Sequence, residues 1–279
     1  MSDPTENPNP YRPPVAVVAE LFAPASGSMR FAPPAARVSA GHGAAWIGDG
    51  WTLFKAEPLM WIAAMLIIFG VSFLVSVVPV LGQIANMLIG PVFAVGIMEF
   101  ARTQAQEGKS DLGKLFTGFS SDKLGSLLMV ALLYVALMIL AVIVTVIVFV
   151  VLAGGAGIFG ALASGNAEKA MGAMLAGGGL LFFILAMLIF LLFMFVVVGA
   201  YWFAPGLVFY TGLGPVEAMK ESFSATLKNW LPFTVYGLAG LGIILLGILS
   251  LGLGLIVAMP VFMASYYACF ADLYGRETE

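Results

Sequence analysis

The sequence predicts an all-α fold, a polytopic bundle of six transmembrane helices. Of its 279 residues, 61% are hydrophobic and only 10% are charged, whereas soluble domains carry about 25% charged residues. Four long runs contain no Asp, Glu, Lys, Arg or His: Pro58–Met98, Leu124–Ala167, Ala170–Val216 and Asn229–Ala271. Each run exceeds the roughly 20 apolar residues that cross a bilayer as a helix, so the chain passes through a membrane several times.

Turn-forming residues divide the uncharged runs into single spans. Gly82 and Gln83 separate the first two, a Gly- and Ser-rich stretch separates the third and fourth, and Ser250–Gly254 separates the last pair. The predicted spans are residues 58–79, 83–103, 125–152, 178–204, 231–250 and 254–274. An even number of spans places both termini on the same side of the membrane.

Residues 1–40 differ in composition and are predicted to form a disordered, Pro/Ala-rich cytoplasmic tail, which leaves residues 41–279 as the six-helix transmembrane domain. Eight of the 15 prolines lie between Pro4 and Pro34. Such a segment buries too little apolar surface to offset the entropy that it would lose on ordering. It also lacks the basic flank and long apolar core of a signal peptide.

Positive charge lies almost entirely on one side of the predicted spans. Of the 12 Lys and Arg residues, only Lys169 falls on the other side. The positive-inside rule therefore predicts that both termini are cytoplasmic. Six aromatic residues are expected to form belts at the cytoplasmic interface: Tyr201, Trp202, Tyr210, Trp230, Tyr266 and Tyr274.

Similar segments recur along the chain. The Pro-Val-Phe at Pro91 returns at Pro260, Ala204–Gly212 is a looser match, and Thr52–Trp61 matches Thr226–Val235. We therefore predict three repeats, about 44–104, 110–212 and 213–275, each an interfacial amphipathic helix followed by a transmembrane hairpin. The alternative is that Pro-Val-Phe recurs by chance in apolar sequence.

Each predicted interfacial helix has an apolar stripe at helical spacing. The stripes are Leu112, Leu115, Phe116 and Phe119; Val216, Met219, Phe223 and Leu227; and Ile47, Trp51 and Phe54. Such helices are expected to lie in the cytoplasmic interface with their apolar faces toward lipid. Phe116, Phe119 and Phe223 are therefore candidate interfacial contacts. The alternative is that these segments simply extend the spans.

Two segments carry a resemblance to a known family. Trp46–Trp61, WIGDGWTLFKAEPLMW, and Met219–Leu238, MKESFSATLKNWLPFTVYGL, resemble signatures of uncharacterised bacterial inner-membrane proteins. The organisation is also similar to the membrane domain attached to some bacterial glycerophosphodiester phosphodiesterases. The resemblance covers residues 38–275 and implies a location in the bacterial inner membrane, but it carries over no phosphodiesterase residues.

No ionisable residue lies deep inside a predicted span, where chemistry inside a membrane would need one. Glu99 and Asp272 lie near the cytoplasmic ends of the second and sixth spans, where water or the nearby Arg102 and Arg276 would neutralise them. The alternative is that they act as gate or partner contacts. His42 has no second His or Cys nearby, which argues against a metal site. We expect no catalytic residues, no cofactor, no metal and no nucleic-acid partner.

Pro91, Pro205 and Pro260 each lie in a predicted returning span. A proline frees a backbone carbonyl, and a break in a membrane helix is tolerated where protein or a cavity covers it. Breaks in equivalent repeats form midplane sites in transporters, whereas kinked packing alone would explain these prolines equally well.

The sequence supports two hypotheses of function. The first is a non-enzymatic inner-membrane protein that associates with membrane lipids, with membrane-protein partners or with copies of itself. The alternative is a transporter or channel for an uncharged or amphipathic solute. A cavity between the three prolines would favour transport, and a solid core there would favour association.

The orientation is testable by cysteine labelling in a Cys269→Ala background. Ser164→Cys should react with a membrane-impermeant thiol reagent added to intact cells, because the positive-inside rule places it outside. Ser121→Cys should react only after permeabilisation. The reverse labelling pattern would overturn the predicted orientation.

Overall fold

The computed structural model describes residues 29–152 and 179–276, together with Ala163, Gly165, Asn166, Glu168 and Gly172 between them. The helices in these ranges are α1 His42–Ala56, α2 Pro58–Ser76, α3 Leu81–Glu107, a 3₁₀ helix Leu112–Phe116, α4 Thr117–Ser120, α5 Leu124–Leu152, α6 Gly179–Trp202, α7 Ala204–Thr211, α8 Pro215–Lys228, α9 Trp230–Leu249 and α10 Leu255–Tyr274. Two short strands, β1 Arg30–Phe31 and β2 Gly275–Arg276, pair antiparallel.

Six helical segments in the described ranges are long and apolar enough to cross a membrane, which confirms the six predicted spans. They are α2, α3, α5, α6 continued by α7, α9 and α10. An apolar chain in lipid satisfies its backbone as a helix, so the uncharged runs determine the spans closely. The Gly- and Ser-rich stretch between the third and fourth spans lies largely outside the described residues. In chain order, a short helical segment precedes each pair of long helices.

Helix α1 packs tightly against α9 and α10, and it buries Phe54, which belongs to the stripe predicted to face lipid. Trp46 and Leu53 are fully buried, whereas Trp51 of the predicted stripe is 42% exposed. A Cβ added at Gly43 would collide with the α9 backbone, and a Cβ added at Gly50 would collide with the α10 backbone. These glycines allow close helix contact, which a hydrophobicity pattern alone does not predict.

The second short segment begins as a 3₁₀ helix rather than the predicted α-helix. Leu115 is fully buried where this segment packs against α3. Phe116 and Phe119 remain 43% and 37% exposed. Both rings contact Phe93 of α3, at centroid distances of 6.2 and 5.2 Å. Their contact with lipid stays a prediction.

Helix α8 buries a face of small and polar side chains and, from the stripe predicted to face lipid, Met219. Its buried residues are Ala218, Met219, Ser222, Ala225 and Thr226. In the predicted stripe, Val216 and Leu227 are 51% and 48% exposed. Phe223 is half-buried, with its ring centroid 6.5 Å from that of Phe195. The small face packs against α6, because small side chains let two membrane helices approach closely.

Residues 29–38, called the N-terminal strap below, are ordered against one end of the bundle, which we call the strap end. This corrects the predicted disorder of residues 1–40, of which 1–28 lie outside the described residues. Strand β1 of the strap pairs with β2, and Phe31 is only 5% exposed. Proline-rich composition predicts disorder because it provides little apolar surface, yet hydrogen bonds from elsewhere in the chain hold this segment.

The strap backbone is bound by polar side chains from three places: helix α8, Asn229 directly after it, and strand β2. The contacts join Lys228 Nζ to the Ala35 carbonyl (2.6 Å), Asn229 Nδ2 to the Ala36 carbonyl (2.9 Å), the Val38 N–H to Asn229 Oδ1 (3.0 Å) and Arg276 Nη2 to the Pro34 carbonyl (2.6 Å). Glu221 Oε1 accepts from the Ala35 N–H at 2.9 Å. The strap therefore connects the beginning of the described chain to its end.

Truncation distinguishes the strap from the residues before it. Deleting residues 1–38 should lower the melting temperature in detergent, because burial of Phe31 alone contributes about 1.5–3 kcal/mol. Deleting residues 1–28 is the matched control and should leave the melting temperature unchanged. Equal melting temperatures for the two truncated proteins would show that the strap adds no stability.

Candidate functional site

Of the three prolines predicted to interrupt returning spans, only Pro205 does so. Pro91 and Pro260 lie inside the continuous helices α3 and α10, which corrects the prediction of three equivalent breaks. A proline removes one hydrogen bond, and a packed membrane helix tolerates that loss. Pro205 instead occupies the first turn of α7, where its missing N–H would have no helical partner.

Side chains of α8 satisfy the backbone at the break between α6 and α7. Ser222 Oγ accepts from the Phe203 N–H at 2.9 Å and donates to the Gly199 carbonyl at 2.6 Å. Thr226 Oγ1 lies 3.3 Å from the same carbonyl. Ser222 is fully buried, so water does not reach these groups. Because an unsatisfied backbone group in the membrane costs several kcal/mol, these hydroxyls stabilise the break.

Helices α2, α3, α9 and α10, with the end of α6, surround a groove of about 750 Å³, called the central groove below. Its walls are mainly apolar and aromatic side chains, among them Met65, Phe69, Phe93, Phe262 and Met263. Among the described residues that line it, none is charged. The volume falls within the range of about 300–1,000 Å³ that is typical of small-molecule sites.

The central groove lies beside all three prolines. Gly90 precedes Pro91, Met259 precedes Pro260, and Trp202 ends the helix before the break at Pro205; all three line the groove. None of the three prolines itself lines the groove, and all three are buried, so the groove lies beside them rather than between them.

Neutral polar side chains are also among the lining residues of the central groove. The Tyr236 hydroxyl lies 2.8 Å from that of the buried Ser265, and Tyr266 donates its hydroxyl proton to the Trp202 carbonyl at 2.7 Å. The Tyr201 hydroxyl lies close to Gly90 of α3. These groups provide hydrogen bonds without charge.

Two polar atoms of groove-lining side chains are buried without a hydrogen-bond partner: Asn86 Oδ1 and Trp202 Nε1. Asn86 Nδ2 donates to the Ser72 carbonyl at 3.0 Å and to Ser76 Oγ at 2.7 Å, which fixes the amide. The Trp202 ring is held edge-to-face against Tyr266, with centroids 5.8 Å apart. Both atoms have almost no accessible surface, so they are enclosed by the protein and are not open to the groove.

Glu99 lies next to Arg102 near the strap end of α3, with 3.5 Å between Oε1 and Nη1. The Arg102 guanidinium lies over the rings of Phe31 and Tyr210, at 5.6 and 5.4 Å from their centroids. The strap therefore covers this ion pair. A role of Glu99 as a gate or partner contact stays a prediction.

Asp272 does not use Arg276 as its partner, contrary to expectation. Asp272 Oδ2 accepts from Trp46 Nε1 at 2.7 Å and lies 2.8 Å from His42 Nδ1. The reason is that α1 crosses this end of α10, whereas the Arg276 guanidinium is directed to the strap. Burial raises the pKa of the nearby Asp49, and the Asp272 charge raises it further, while His42 acts in the opposite direction.

Sequence reasoning missed the central groove. It assigned Trp202 and Tyr266 to the aromatic belt, but both line the groove. Tyr274, assigned to the same belt, is fully buried. The amide of Asn86 within an apolar span was the available signal, because a polar side chain at such a position usually has a structural or functional partner.

Comparison with known proteins gives a family and a relative. The profile of the family described as "Protein of unknown function (DUF975)" matches residues 53–277. The chain is 30% identical to a "Probable inner membrane protein" of Burkholderia thailandensis over 241 residues, which cover 83% of this chain and 82% of the relative. No solved structure matches the chain. The matched family region contains all six candidate spans and the central groove.

A substitution tests whether the Ser222 hydroxyl stabilises the break between α6 and α7. Ser222→Ala should destabilise the protein by about 1–3 kcal/mol, because it leaves the Phe203 N–H without its buried acceptor. The matched control is Ser224→Ala on the exposed side of the same helix, which should have little effect. Thermal unfolding in detergent would measure both, and equal melting temperatures would contradict a role for Ser222 at the break.

Proposed function

We propose, from the premise that the chain belongs to the DUF975 family of proteins of unknown function, that it is a non-enzymatic membrane protein which binds membrane lipid in the central groove. The observation that carries this proposal is the apolar groove of about 750 Å³ within the transmembrane helices. At this depth in a bilayer, lipids are the most abundant molecules that fit such a surface.

The dimensions of the central groove suit part of a lipid molecule. Its α3 wall runs from Asn86 to Ile97, a distance of about 16 Å at 1.5 Å per residue. This is about half of the roughly 30 Å hydrocarbon core of a bilayer. A single lipid chain could therefore lie along the groove within one leaflet.

The lining also supports a binding role over catalysis. Catalytic sites bring together titratable groups with a nucleophile or an electrostatic stabiliser. In the described part of the groove, the polar groups are an amide, an indole and hydroxyls. The ionisable residues Glu99 and Asp272 are engaged with Arg102, and with His42 and Trp46.

Transport of an uncharged or amphipathic solute is the second candidate. A second groove, of about 460 Å³, shares Trp202, Tyr236 and Gly237 with the central groove and reaches Trp230, which is 59% exposed. Trp202, one of the shared residues, directly precedes the break at Phe203. Opening there would join the two grooves into a path toward the strap end.

We place the protein in the bacterial inner membrane with the strap end and both termini in the cytoplasm. The charge asymmetry of the sequence and the name of the Burkholderia relative support this location. We also retain the three-repeat architecture, and the similarity to phosphodiesterase membrane domains, as proposals. Membrane-protein partners and self-association remain part of the proposal beside lipid.

A groove-filling variant tests lipid binding. Gly237 lines the central groove, and a Cβ added there meets no atom within 4 Å, so Gly237→Leu should fill the groove without a backbone clash. The protein would be purified in mild detergent, and retained lipid would be detected by native mass spectrometry. We expect one tightly held lipid per chain in the wild type and several-fold less in the variant.

The matched control is Gly242→Leu, in the same helix, equally open and outside the central groove. It should retain lipid like the wild type. Equal lipid retention in all three proteins would contradict binding in the groove. The transport candidate would be tested by the movement of a fluorescent neutral lipid across proteoliposome membranes. Movement that is lost in Gly237→Leu but kept in Gly242→Leu would favour transport.

A further inference from the structure

We infer that a groove between α1, α9 and α10, called the α1 groove below, binds an anionic phospholipid of the membrane. One acyl chain lies in the groove, and the phosphate contacts Lys55. The α1 groove has a volume of about 500 Å³, and its walls include Ile47 and Trp51 of α1, Ile243 and Leu246 of α9, and Val257 and Val261 of α10. It shares no described lining residue with the central groove, so the inference does not depend on lipid binding there.

The lining of the α1 groove suits an acyl chain. Among the described lining residues none is charged, and the hydroxyl of Ser250 donates to the Gly247 carbonyl at 2.7 Å. The α9 wall runs from Ile243 to Ser250, about 10 Å at 1.5 Å per residue. This is about a third of the roughly 30 Å hydrocarbon core of a bilayer, so part of one acyl chain fits along it.

An exposed face of α1 borders this apolar surface. Ala44, Gly48, Trp51 and Lys55 follow one another at helical spacing, and all four are exposed. Trp51 is 42% exposed although it lines the α1 groove, so its ring is open to a ligand there. The Lys55 ammonium lies over that ring, 5.8 Å from its centroid. A positive charge therefore lies at the edge of an apolar groove.

The Lys55 charge has no carboxylate partner among the described residues. The ion pairs in the described part of the chain join His42 to Asp272, Arg102 to Glu99, and Lys123 to Asp122. Asp49 is half-buried on a different face of α1. Glu57, two residues after Lys55, accepts from the Ser110 N–H at 2.6 Å. Lys109, next to Ser110 in the chain, is exposed and adds a second cation at this end of α1.

The lysine, the tryptophan and the groove match the parts of an anionic phospholipid. A lysine stem packs on apolar surface while its ammonium stays among polar groups, and an indole prefers the depth of the headgroups. A basic residue near the membrane surface favours anionic lipid about fivefold. Phosphatidylethanolamine carries its own ammonium, which competes with Lys55 for the phosphate. Phosphatidylglycerol has no such group and keeps its full negative charge.

Quenching of Trp51 fluorescence by brominated lipids tests the site in a bilayer. The full-length protein would be reconstituted in mixtures of phosphatidylglycerol and phosphatidylethanolamine with identical acyl chains, with either lipid brominated in turn. Because the chain has five tryptophans, the Trp51 signal is the difference between each protein and the same protein carrying Trp51→Phe. We expect phosphatidylglycerol to occupy the site about fivefold more readily than phosphatidylethanolamine.

Four variants separate the charge from the groove. Lys55→Gln should abolish the preference for phosphatidylglycerol, whereas Lys220→Gln, which removes an exposed lysine of α8 outside the groove, should retain it. Val257→Phe should lower the preference, because a chain excluded from the groove holds its phosphate less firmly at Lys55. Ile256→Phe, at the neighbouring exposed residue that does not line the groove, is its matched control and should behave like the wild type.

Three outcomes would overturn the inference. Equal occupancy by the two lipids, or a preference that survives in Lys55→Gln, would refute binding of an anionic lipid at Lys55. An absence of quenching by either lipid would show that protein, such as a second copy of the chain, covers the α1 groove. Gly237→Leu, which fills the central groove, should leave every Trp51 result unchanged, so failure of this inference and failure of the proposed function are distinguishable.

Discussion

A bilayer offers a backbone amide or carbonyl no hydrogen-bond partner, and this constraint governs where the chain can bend. The fourth span bends at Phe203 because Ser222 is positioned to bond both sides of the interruption. This requirement brings α8 against α6 through a face of small and hydroxyl side chains. It also sets the position of Trp202, the last residue before the bend and part of the central groove. The bend and the groove are therefore parts of one arrangement.

The sequence predicted the spans well because charge is so unfavourable in hydrocarbon that four uncharged runs had few other interpretations. It did not predict which face of each helix packs against other helices. In a soluble protein the buried face of a helix is the apolar one. In a membrane both the lipid and the protein interior are apolar, so apolar side chains do not show which face is buried. Trp46 is buried and Trp51 is 42% exposed on the same helix, although both are tryptophans. The distinguishing signal lay in small residues such as Gly43 and Gly50, which permit close contact between helices.

The strap shows a second limit of composition. Proline-rich sequence predicts disorder because it contributes little buried apolar area. Residues 29–38 are held instead by groups more than 180 positions away, including Asn229 and Lys228. A proline-rich segment has few backbone donors, so its free carbonyls suit the Lys, Arg and Asn side chains that surround it. Such pairing depends on the tertiary fold, and no local window of sequence contains it.

The packing around the central groove bears on how a lipid would reach it. At the strap end, Phe203, Phe270 and Tyr274 are fully buried and in mutual ring contact, and the strap lies over Phe270 through Phe31. Lipid entry along that route would disrupt a closely packed aromatic cluster. The groove walls on α2 and α9 include Phe69 and Leu241, each 53% exposed toward the space that lipid would occupy. On the proposed function, a lipid therefore enters sideways from the bilayer between α2 and α9, and the packed strap end supports the groove without serving as its entrance.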